Sequence, residues 1–81
     1  MTNLSTSANY VLNTLHAAYK ARLESGLSED MAKHVPLIGP DLSKSNPVVE
    51  EGINELKSEG LVSENVLGEI CLEDEAFDYL S

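Results

Sequence analysis

A chain of 81 residues has room for one domain around one core, since a domain this small buries only about 60% of the surface that its unfolded chain exposes. The formal charge of -9 repels phosphate backbones and anionic membranes and favours basic partners. No apolar run approaches the roughly 20 residues that span a bilayer, the opening Met-Thr-Asn-Leu-Ser-Thr-Ser lacks the cationic and apolar stretches of a secretion signal, and a lone Cys71 makes no internal disulfide, so a cytoplasmic protein is expected.

In the first segment, Ala8, Val11, Leu12, Leu15, Tyr19 and Leu23 recur at spacings of three and four, one apolar stripe on a helix. Ser5 or Ser7 caps its start, Gly26 ends it, and Leu27 is placed for the apolar contact that follows such a stop. Ser28 reads as the cap of a short second helix running through His34, with Glu29 and Asp30 in the first turn where the helix dipole favours acids. Pro36 ends this helix. From Pro36 to Asn46 the chain reads as loop, with a turn at Gly39-Pro40-Asp41 and Leu42 as an apolar anchor.

A third helix begins with Asn46 as cap, Pro47 in the first helical position and Glu50 and Glu51 just inside, and Gly60 closes it. Val49, Ile53 and Leu56 share its core face. A hairpin follows: Leu61-Val62 as one strand, Ser63 to Gly68 as connection and Glu69 to Leu72 as return strand, with Ile70 and Leu72 facing inward. Asp74 to Leu80 reads as a short closing helix that docks Phe77 and Leu80 on the core. The aromatic residues are only Phe77, Tyr10, Tyr19 and Tyr79, so Leu, Ile, Val and Ala are expected to make most of that core.

Three helices, a hairpin and a short closing helix give a mainly α fold with a small β-hairpin, an α+β domain covering residues 1–81. Two stretches carry a resemblance. Ile53-Asn54-Glu55-Leu56-Lys57-Ser58-Glu59-Gly60-Leu61-Val62 resembles the end of a winged helix-turn-helix recognition helix, where Ile or Val, a Leu three residues on, and Gly-Leu-Ile/Val lead into the wing. Ile70 to Leu80 is similar to that family's closing strand and helix, in which Ile-x-Leu-Thr precedes Tyr-Leu. Glu73 stands where the family usually has Thr, and the Pro36–Asn46 loop is long for a compact helix-turn-helix. The resemblance implies a binding module whose third helix and wing make the contacts; in relatives that bind DNA, cations there meet the phosphates.

The charges oppose that last use. Residues 1 to 45 balance Lys20, Arg22, Lys33 and Lys44 against Glu24, Glu29, Asp30 and Asp41, whereas from residue 46 onward Lys57 alone faces ten acids. The third-helix face opposite the core comprises Glu51, Asn54, Glu55 and Ser58, and the connection Ser63 to Gly68 holds no Lys or Arg. Affinity for nucleic acid comes largely from phosphate neutralisation, so DNA binding is disfavoured, and a patch of Lys20, Arg22, Lys33 and Lys44 is the alternative that would restore it. A DNA mimic presenting these acids is a further alternative.

Protein contact suits the residues better. Val66 and Leu67 lie near the hairpin tip, either folded back on the core or displayed to a partner. Tyr10, Thr14, Ala17 and Ala21 lie on the helix-one side away from the core stripe, a small-residue face suited to close approach of a second copy. A protein partner and a homodimer are therefore the expected associations, with no membrane. No catalytic, metal or cofactor site is expected: Cys71 with His16 or His34 lacks a nucleophile signature, zinc needs four ligands at recognisable spacing, and Glu73, Asp74, Glu75 and Asp78 lack the alternating oxygen ligands and glycine of a calcium loop.

Overall fold

The computed structural model of the chain describes residues 4–39, 42–43 and 45–80. Among the described residues, four helices and a small antiparallel sheet follow in the order α1 (Thr6–Glu24), α2 (Glu29–Lys33), β1 (His34–Val35), α3 (Pro47–Ser58), β2 (Val62–Glu64), β3 (Ile70–Leu72) and α4 (Asp74–Leu80). The fold is α+β, with the strands in the order β1-β3-β2. No described helix is long and apolar enough to cross a membrane. Gly39-Pro40-Asp41 lies partly outside the described residues, as does Lys44.

Each long helix starts and stops for a local chemical reason. The Ser5 side chain accepts a hydrogen bond from the Ala8 amide, and the Asn46 side chain accepts one from the Val48 amide, with Pro47 supplying the fixed φ of the first turn. At the other ends, Leu27 N–H reaches Arg22 C=O and Gly26 N–H reaches Leu23 C=O; Leu61 and Gly60 repeat this on Leu56 and Lys57. This closure requires a left-handed residue, and Gly26 and Gly60 sit there at φ +101° and +74° without the cost a β-carbon would bring.

The core forms where the inward stripes meet. Ala8, Val11, Leu12 and Leu15 of α1 pack with Val49, Ile53 and Leu56 of α3 and with Val35, Val62, Ile70 and Leu72 of the sheet. Gly52 lies at the α1 contact: a β-carbon there would stand 2.6 Å from both the Ser7 carbonyl oxygen and Val11 Cγ2. Leu42 anchors the loop before α3, and Ala76 is buried from α4 while Phe77 and Leu80 pack against the edge of the core.

Three boundaries differ from the sequence reading. Helix α2 ends at Lys33, because His34 turns extended (φ -90°, ψ 97°) and with Val35 forms a third strand against Ile70 and Cys71. Burying Val35 in the sheet outweighs continuing a five-residue helix toward Pro36, which disfavours helical backbone at the residue before it. The first hairpin strand runs to Glu64 rather than ending at Val62, paired as Val62–Leu72, Ser63–Cys71 and Glu64–Ile70. The return strand starts at Ile70 because Glu69 belongs to the turn closure.

Candidate functional site

The hairpin tip is a turn closed by hydrogen bonds. Gly68 N–H donates to Asn65 C=O at 3.0 Å and Asn65 N–H donates to Glu69 C=O at 3.1 Å, while Gly68 at φ +82° redirects the chain into β3. The Asn65 side chain supplies the rest: Oδ1 accepts from the amides of Leu67 (3.0 Å) and Glu69 (2.9 Å), and Nδ2 donates to Glu69 Oε1 at 2.9 Å. The amides of Asn65, Leu67, Gly68 and Glu69 are bonded within the turn, and the two residues at the apex are exposed. Val66 is fully exposed and Leu67 is 79% exposed, so the pair is displayed rather than folded back.

A groove lies beside this hairpin. Leu37, Ile53 and Asn54, with Glu50, Lys57 and Glu64, line an open cavity of about 360 Å³. Positions 50, 53, 54 and 57 share one side of α3 through helical periodicity, and Glu64 ends β2 just before the tip. Lys57 Nζ pairs with Glu64 Oε1, tying α3 to β2. Ile38, the sequence neighbour of Leu37, is mostly exposed.

The third-helix face expected to meet a partner is divided by the structure. Glu51, Asn54 and Ser58 are exposed. Glu55 instead turns toward α1, where its Oε2 accepts the Ser5 amide at 2.8 Å. In a capping box the glutamate comes from the same helix; here α3 provides it to α1. The hydrogen bond from Ser5 holds the Glu55 carboxyl below the ordinary glutamate range. Sequence spacing carries no sign of this bond, because its partners lie fifty positions apart.

The early cations are used separately. Arg22 Nη2 donates to Met31 C=O at 3.3 Å, which pins α2 to α1. Lys33 Nζ lies 3.8 Å from Asp74 Oδ1 and 5.7 Å above the Phe77 ring, linking α2 to α4. Lys20 is exposed, and Lys44 lies outside the described residues. On the outward side of α1, Tyr10 and Ala17 join Asn13 and Thr14 around a shallow depression of about 460 Å³, and Ala21 is exposed farther along.

Cys71 and the two histidines fall in different settings. Cys71 is opposite His34 in the β1–β3 register and opposite Ser63 in β2–β3. Burial pushes its thiol up, and the nearby Glu73 charge adds to this, so little thiolate forms near neutrality. His34 Nδ1 shares a hydrogen bond with Asp30 C=O at 2.6 Å. His16 sits away from this row, stacked on Tyr19 and edge-on to Phe77; burial lowers its pKa and Lys20 lowers it further. Among the described residues, no three His, Cys, Asp or Glu side chains are grouped as metal ligands. No family model, curated protein or solved structure matches the chain.

Proposed function

We propose that the chain is a non-enzymatic winged-helix binding module, regulatory in role, that acts through protein contacts made by its wing tip and third helix. The observation that carries this reading is the exposed Val66–Leu67 pair on a turn in which Asn65 Oδ1 accepts the Leu67 and Glu69 amides. Exposed aliphatic residues gain nothing from water, and a preformed turn lowers the ordering cost of burying them against a partner. The third helix, hairpin and closing helix support the winged-helix assignment. The tight helix-turn-helix corner of three or four residues has no counterpart, because residues 34–46 and strand β1 separate α2 from α3.

Charge favours protein over nucleic acid. Glu50 and Glu51 stand on α3, Lys57 is paired with Glu64, and Arg22 and Lys33 already serve the fold, leaving little to neutralise phosphate. The test is a comparative pull-down with the wild-type chain and the Val66→Ser/Leu67→Ser double variant, alongside a duplex DNA titration at about 50 mM and about 200 mM salt. The reading predicts a protein captured by the wild type, lost by the variant, and no DNA affinity. Salt-sensitive DNA binding that disappears on changing Lys20 and Lys33 to Glu would replace it with a transcriptional regulator. Light scattering reads whether Tyr10, Ala17 and Ala21 also join two copies.

A further inference from the structure

We infer that the groove beside α3 receives one aliphatic side chain from a basic segment of the partner protein, an inference that rests on the protein-binding reading above. Ile53 and Leu37 give the groove an apolar lining, and Glu50, Asn54, Lys57 and Glu64 complete it. Its volume of about 360 Å³ is near the lower end of the roughly 300–1,000 Å³ typical of small-molecule sites, and of its two side-chain donors, Asn54 and Lys57, the lysine is held by Glu64. Such a shape suits a single side-chain anchor, with the chain that bears it continuing across the rim.

Charge selects the kind of segment. Lys57 is the groove's one cation and is already paired with Glu64, so Glu50 leaves the lining net negative. The chain's overall charge of -9 adds a long-range field of the same sign. A second copy carries a net charge of -9 and even its balanced first half, residues 1–45, has no excess of cations, and nucleic acid would bring phosphates; neither supplies a net positive segment. A Leu or Ile flanked by Lys or Arg meets complementary charge on the rim and apolar surface below.

The direct probe is an end-capped peptide, Arg-Lys-Leu-Lys-Arg, titrated into the isotopically labelled full chain and followed by amide shifts. Two peptides serve as controls, Arg-Lys-Gly-Lys-Arg and Glu-Asp-Leu-Asp-Glu. The inference predicts shifts centred on Leu37, Ile53, Asn54, Lys57 and Glu64, with binding about tenfold weaker when Leu is replaced by Gly and absent for the acidic peptide. Glu50→Lys, an exposed position, should weaken binding about three- to fivefold. Shifts centred on α4 or on the outward side of α1, equal binding of the Leu and Gly peptides, or no shifts would overturn it. The Val66→Ser/Leu67→Ser variant must bind the peptide as the wild type does. Failure of the groove is thus separate from failure of the tip: the first is read by the peptide, the second by loss or retention of the captured protein.

Discussion

At Gly52 two opposed effects can be weighed. Its backbone is helical, so alanine would favour the helix by about 1 kcal/mol; yet the added carbon would lie 2.6 Å from a backbone oxygen of α1 and from Val11 Cγ2. Overpacking of this kind costs about 1–3 kcal/mol, and a backbone atom yields less readily than a side-chain end. Gly52→Ala should therefore destabilise the fold by up to about 2 kcal/mol net in urea unfolding. The bond from Ser5 to Glu55 gives a second residue-scale expectation. Because Glu55 has a lowered pKa in the fold, its contribution is present above the ordinary glutamate value and is lost as pH falls through the folded one. Glu55→Gln should flatten the acid limb of a melting-temperature profile; an unchanged limb would assign the bond no role. Ser5 was legible as a cap from its own neighbourhood, whereas Gly52 and Glu55 owe their roles to α1, which no local pattern reveals.

Helices were the legible elements because each carries its own signals: Ser5, Ser28 and Asn46 at the starts, Gly26 and Gly60 after the ends, and apolar periodicity between. Strand β1 was not legible, since two residues cannot display an alternating pattern, and Val35 looks the same in a loop as in a sheet. The hairpin is legible, with Ile70 and Leu72 inward, but its tip is not: the three side-chain bonds of Asn65 close the turn that carries the exposed Val66 and Leu67. Asn65→Ala should cost about 1–2 kcal/mol, while Val66→Ser/Leu67→Ser should stay within about 0.5 kcal/mol of wild type, both by urea denaturation. The α1–α4 contact has its own pH signature. His16 packs with Tyr19 and Phe77, and its lowered folded pKa means that the unfolded chain binds the proton first. Stability conferred by neutral His16 is complete above about pH 6.5 and falls as pH drops from there toward the folded pKa. His16→Gln should remove that part of the slope in thermal scans.

For the whole molecule, the uneven charge sets both stability and choice of partner. With nine excess negative charges arising from the half that forms α3, the hairpin and α4, the fold carries a large surplus of like charge. Salt should screen them and raise the melting temperature, in contrast to a fold held by surface ion pairs; a fall with added salt would give greater weight to Lys33–Asp74 and Lys57–Glu64. The same asymmetry separates the outline of the fold from its use, since the sequence features that resemble a recognition helix and wing bear acids and an aliphatic tip. The most direct test is calorimetric affinity of the captured partner for the wild type, for Val66→Ser/Leu67→Ser and for Lys20→Glu/Lys33→Glu. Loss of about 2 kcal/mol or more in the tip variant, with the cation variant close to wild type, is the expected result. The reverse pattern, with the tip variant unaffected and the cation variant weakened, would contradict it.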